Sequence, residues 1–314
     1  MTTPDRRLDK FSNIGAPTQS NSGWKQAHDH MGSVRLINLS FYPEAPLVTW
    51  LAMLALFAYL LLSGHYIRQI LPKHPGGLLP MPLTNALLIA GSLSHAAALT
   101  IKFQAYPWHF GASEALSLTA LLCVTLYGLG RSILPLKGTE APLLAFAAFM
   151  LAISLVLPPG HAITSSDLLS RIHFACALLT QPLLIIATGM ALLIKHSNRQ
   201  LHNTHKGILA RALPPVLTLE KLLFIALGAA YAMLSAALLT GLLASLDPAS
   251  NTRFLSHKVL LSILAWIVIG ILLIGHRRAG WRGRLAANWT LAGAALLFLG
   301  YLGTRLVLEV ILKR

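Results

Sequence analysis

Two histidines of this chain lie inside apolar stretches, where a neutral imidazole either hydrogen-bonds to a neighbouring helix or ligates a metal through a ring nitrogen. His95 falls in GSLSHAAALT, where Ser92, Ser94 and a run of alanines form a small-residue surface that lets a second helix come close. His173 falls in SRIHFACALL. Each reads as an interhelical hydrogen bond or as an axial ligand to haem iron. If their helices are neighbours, the two rings would approach a flat macrocycle from opposite sides. Arg305 stands in YLGTRLVLEV with Glu309 one turn later. It reads either as half of an i, i+4 ion pair or as a guanidinium fork for an anionic group such as a haem propionate.

Other polar groups have plainer explanations. Glu220 and Lys221 open an apolar run, where a carboxylate in the first turn is favoured by the helix dipole. QAYPWHFG clusters Tyr106, Trp108, His109 and Phe110, a pattern of interfacial anchors or of a platform for a flat ligand. Gly228, Ala232, Ala236 and Thr240 recur every four residues and predict a close-packing stripe. His28, Asp29 and His30, and His196, His202 and His205, match no closed metal site and read as solvated. The chain contains no acid-base pair, nucleophile elbow, phosphate-binding glycine loop or zinc-protease motif, so no enzyme is expected.

The elements that must position these groups follow from composition. Of 314 residues, 55% are hydrophobic and 11% charged, too few charges to cover a soluble domain of this length. A bilayer-spanning helix needs about 20 apolar residues. Eight segments meet that measure, near Pro46–Ser63, Thr84–Phe103, Ser113–Leu129, Ala141–Leu157, Leu168–Ile194, Leu219–Leu243, Val259–Gly275 and Asn288–Leu312. The expected fold is an all-α integral membrane bundle of about eight transmembrane helices over residues 46–314, preceded by a polar tail, residues 1–45. Met31 is a second candidate start within that tail. The formal charge of +15 does not indicate a nucleic-acid partner, because the basic residues collect at the ends of apolar runs, where they meet lipid headgroups. Cys123 and Cys176 lie in apolar runs and imply no disulfide framework.

With eight spans the loops alternate. Arg68, Lys73, Arg131, Lys137, Lys195, Arg199, Lys206, Arg211, Arg277, Arg278, Arg282 and Arg284 fall on one side. Lys102, Arg171, Arg253, Lys258, Lys313 and Arg314 fall on the other. Cytoplasmic loops keep the excess of Lys and Arg, which predicts both termini outside.

The segment from His257 to Leu312, centred on the GWRGR turn of Gly280 to Arg284, closely resembles the last two spans of the cytochrome c assembly protein family. Within that CcsA/HemX-like superfamily the likeness is to the YpjD-like branch. It extends back through LPPVLTLEKLLF, then RIHFACALL around His173, and more weakly to SHAAALTIK around His95. The resemblance implies a multi-pass protein of the bacterial inner membrane that handles haem with other cytochrome c maturation components. It matches His173 to the first external haem-ligating histidine of CcsA. The membrane histidine six residues before GWRG is Ile274 here, with His276 two residues on. The second external histidine would fall near Leu312, and NTRFLSHK stands where the tryptophan-rich WWD signature is expected. On this reading His173 and His95 are the haem iron ligands, Arg305 is the propionate contact, and membrane lipids are the remaining partners. Two other functions fit the same sequence: a small-molecule transporter with a polar path past Ser92, His95 and Gln181, and a HemX-like membrane subunit that regulates a partner without a cofactor.

Overall fold

A computed structural model of the chain describes residues 46–70, 78–104, 108–134, 136–157, 161–163, 168–201, 214–245 and 257–300. Among these residues there are eight helices: α1 (Pro46–Ile70), α2 (Met81–Gln104), α3 (Ala112–Gly130), α4 (Glu140–Val156), α5 (Leu168–Leu201), α6 (Val216–Ser245), α7 (His257–Ala279) and α8 (Gly283–Phe298). Six of them, α1, α2, α3, α5, α6 and α7, are long and apolar enough to cross a membrane. The chain is an all-α integral membrane bundle. Polar side chains mostly bond back to their own helix: Ser92 to the Leu88 carbonyl, Thr188 to Leu184 and Thr290 to Ala286, each close to 2.8 Å. Hydroxyls satisfied in this way can sit in hydrocarbon at little cost.

Two short strands, β1 (Trp108–Phe110) and β2 (His161–Ile163), pair antiparallel in the register Trp108 to Ile163, His109 to Ala162 and Phe110 to His161. This ribbon ties the loop between α2 and α3 to the loop between α4 and α5, and so marks one side of the bundle. The opposite side carries Arg68, Arg131, Lys195, Arg199 and Arg277 to Arg284, and is called the basic side below.

The closest pairing in the bundle is α5 against α6; α1 packs on α2 and α4, and α8 on α5 and α7. Leu144, Leu151, Ala187, Ile194, Leu219, Leu223, Leu227, Ile269 and Leu272 form a shared core with under 2% exposure. Lipid-facing side chains such as Trp50, Phe57, Leu93 and Phe149 are exposed by contrast, as a helix in apolar solvent allows.

Several details differ from the sequence expectation. The first helix does not stop at Ser63. It runs through Gly64, where a Cβ would meet nothing within 4 Å, because His65 continues its packed face. His65 is buried and accepts the Leu79 amide at Nδ1 (3.1 Å), while its Nε2 lies 3.0 Å from the Gln69 carboxamide. That contact fixes the chain just ahead of α2. The stripe of Gly228, Ala232, Ala236 and Thr240 is not the packing face of α6. Nothing lies within 4 Å of a Cβ at Gly228, and Ala232 is exposed. The buried line instead steps through Leu223, Ala226, Ala230, Leu234 and Ala237. Residues 1–45 and Arg305 with Glu309 lie outside the described residues, as do His202 and His205.

Candidate functional site

His173 lies near the ribbon-side end of α5, one residue before Phe174. Its Nδ1 is 2.7 Å from the backbone carbonyl of Ala237 on α6. A carbonyl only accepts, so Nδ1 carries the proton and Nε2 keeps its lone pair. Nε2 has no hydrogen-bond partner among the described residues. One turn beyond Ala237, Gly241 clears space for the ring: a Cβ there would stand 3.0 Å from His173 Cε1 and 3.1 Å from Nδ1. The same face of α6 thus supplies an orienting acceptor and a gap on successive turns. A backbone carbonyl behind one nitrogen, leaving the other free, is the usual outer-shell arrangement of a metal-ligating histidine.

The ribbon continues this site. Phe174 meets Phe110 of β1 edge to face with ring centroids 4.5 Å apart, and Phe110 stacks on Phe103 of α2 at 6.3 Å. The ladder sets His161 of β2 opposite Phe110. Below the ribbon, Glu114 in the first turn of α3 accepts the Gly111 amide at 2.9 Å and lies 3.7 Å from the Lys102 ammonium. Ser113 donates to the Ser154 carbonyl at 2.7 Å, joining the start of α3 to the end of α4. These bonds hold the loop that carries β1 in one place, so Phe110 reaches Phe174.

His95 occupies a different setting. It is fully buried on α2, with Nδ1 3.3 Å from the Tyr59 hydroxyl of α1 and Nε2 2.9 Å from the Ser117 hydroxyl of α3. Both nitrogens are committed. Its own helix comes close to α1 at Gly91, where a Cβ would stand 2.8 Å from Ala58. His95 is therefore a bolt through three helices, and an iron at either nitrogen would have to displace Tyr59 or Ser117. The structure does not bring His95 and His173 to a common partner: α2 lies between α1 and α3, while His173 faces α6.

On the basic side, the GWRGR turn has a specific architecture. Gly280 and Gly283 adopt left-handed φ values of 64° and 60°, which favour glycine. The Trp281 ring lies over Gly275, where a Cβ would stand 2.5 Å from Cε3, and packs against Trp289 at 5.4 Å. His276 donates from Nδ1 to the Trp281 carbonyl at 2.9 Å and stacks on Phe224 of α6 at 3.5 Å. Glu220 serves a helix other than its own: Oε1 accepts the Gly283 amide at 2.7 Å, capping the start of α8. The turn from α6 into its own first residues is instead closed by the Pro215 carbonyl, which takes the Thr218 and Leu219 amides. Among the described residues no group of three or more His, Cys, Asp or Glu side chains could hold a metal ion.

Sequence inspection missed the β1–β2 ribbon, because a three-residue strand carries no periodic signal. It also missed the pairing of His173 with Ala237, since a backbone acceptor has no residue type to read.

Comparison with known proteins agrees with the resemblance seen in the sequence. The family model described as cytochrome C assembly protein matches residues 50–312. The chain is 34% identical over 221 residues to the 28.8 kDa protein in nifR3-like 5'region of Azospirillum brasilense, covering 69% of this chain and 82% of that protein. It is 30% identical over 273 residues to the inner membrane protein YpjD of Escherichia coli K12, covering 83% of this chain and 98% of the relative. No solved structure matches the chain. With its helices described and nearly the whole bundle matched, this multi-pass membrane chain belongs to the cytochrome c assembly protein family.

Proposed function

We propose that this protein holds haem at the ribbon-side face of the bacterial inner membrane during cytochrome c maturation, with His173 Nε2 as an iron ligand. One observation carries the reading: the Ala237 carbonyl fixes the proton on Nδ1 and leaves Nε2 as an unpaired donor atom. The family description supports the pathway, and the similarity to an inner membrane protein supports the location. The basic side then faces the cytoplasm, where Lys and Arg are retained, and the ribbon side faces outward.

The residues around His173 fit a flat apolar macrocycle. Gly241 keeps α6 from crowding the imidazole, and Phe174, the next residue of α5, is an exposed aromatic at the same end of the helix. When bound, haem would supply an iron that takes an imidazole nitrogen and propionates that pair with cations. His173 binds and orients, while Glu114 and Ser113 keep the ribbon loop in register with it. His95 acts as scaffold, because both of its nitrogens already serve other helices. Arg305 remains the cation assigned to a propionate. The role is binding and delivery, with no bond made or broken in the substrate by a side chain of this protein.

The test is the absorption spectrum of the detergent-purified full-length protein supplemented with haem. A stoichiometric Soret band with imidazole character is expected. Colourless protein would overturn the reading and leave transport, or regulation of a partner subunit, as the function of the bundle.

A further inference from the structure

On the basic side, α2 and α3 diverge and leave a cleft of about 440 Å³ that opens toward lipid. Its chemistry is graded along its length. Asn85, Arg131 and Ser132 stand where the cleft meets the interface, and Leu88, Leu93 and Val124 line it further into the membrane. Leu93 and Leu129 on its rims are 65% and 66% exposed, so no helix among the described residues covers it. At Gly128 a Cβ would meet nothing within 4 Å, which leaves the α3 wall open where a side chain would otherwise fill it. Ser92, deeper in the cleft, bonds its own helix at Leu88 and presents no unsatisfied hydroxyl.

Arg131 gives the cleft its charge. Among the described residues no carboxylate lies within ion-pair distance of it; Glu140, the acid of the adjoining turn, accepts the Gly138 amide instead. A guanidinium at the interface, with a carboxamide and a hydroxyl beside it and an apolar slot behind, matches an amphiphile with an anionic head and a hydrocarbon chain. We propose that the α2–α3 cleft is a binding site for an anionic phospholipid, with its phosphate at Arg131, Asn85 and Ser132 and one acyl chain between Leu88, Leu93 and Val124. The site lies on the opposite side of the bundle from His173 and is independent of haem.

Native mass spectrometry of the full-length protein, titrated in micelles with phosphatidylglycerol or phosphatidylethanolamine, tests this. One cation near the membrane surface is worth enough to favour the anionic lipid by about fivefold. Arg131→Gln is expected to bring the two lipids to near-equal retention, whereas Lys137→Gln, in the same turn but outside the cleft, leaves the preference intact. Gly128→Leu replaces glycine in an unobstructed helix position and should fold normally, yet it is expected to fill the slot and remove retention of both lipids. The proposal is overturned if wild-type protein shows no preference, if Arg131→Gln keeps it, or if Gly128→Leu retains lipid as well as wild type.

Discussion

His95 and His173 are the same side chain in two regions of one bundle, and the regions use it in opposite ways. In the interior between α1, α2 and α3, His95 spends both ring nitrogens on hydroxyls of other helices. At the ribbon side, His173 spends one nitrogen on a carbonyl and leaves the other without a partner among the described residues, next to a glycine of α6. A buried histidine is a strut when its two nitrogens find two partners, and a candidate ligand when only one does. His95 is fully buried and His173 half-buried, and it is the second nitrogen that assigns their roles.

The largest expected effect of breaking this contrast is on stability. His95→Ala removes two interhelical bonds and leaves a cavity among α1, α2 and α3. Interhelical bonds in membranes average well under 2 kcal/mol each, and the cavity adds to them, so a loss of roughly 2–4 kcal/mol is expected. Thermal unfolding in detergent reads it. A variant as stable as wild type would remove His95 from its role as a bolt.

A middle-sized effect is expected from Gly241→Ala. The new methyl would stand 3.0 Å from His173 Cε1, so the imidazole must give by a few tenths of an ångström, which disturbs its bond to the Ala237 carbonyl. Loss of such an orienting contact costs about tenfold or more in ligand affinity, while alanine in the helix offsets some of the strain on the fold. Haem titration should therefore weaken while the melting temperature changes little. Equal affinity in the two proteins would show that the Gly241 gap plays no part in presenting Nε2.

The smallest effect belongs to Ser117→Ala. It frees Nε2 of His95 at a cost of about 1 kcal/mol or less, and haem binding is expected to stay as it is. A new or altered Soret band in that variant would mean that a freed His95 reaches iron, and the division between strut and ligand would fail.

The spans were legible because a run of about 20 apolar residues is a strong and local signal. Their phase was not. In lipid every side of α6 can be apolar, so small residues at Gly228, Ala232 and Ala236 look as good a packing face as Ala226, Ala230 and Ala237, which are the buried ones. The expected first span ends at Ser63, yet α1 passes Gly64 because His65 packs and accepts the Leu79 amide. The GWRGR turn was legible as a marker but not as a structure. Its Trp281 ring is seated by Gly275, five residues before the turn, and its Gly283 amide is capped by Glu220 from another helix. Likewise, the sequence singled out His95 and His173 as polar residues in apolar runs. Which nitrogen of each remained free depended on Tyr59, Ser117 and a main-chain carbonyl, and those are set only when the helices meet.

The most direct measurement is a haem titration of full-length protein in micelles, followed at the Soret band, with His173→Ala and His95→Gln measured beside wild type. The account predicts that wild type and the folded fraction of His95→Gln give the same band, and that His173→Ala loses it while remaining folded. Loss of the band in His95→Gln with retention in His173→Ala would contradict the account and transfer the ligand to the interior of the bundle.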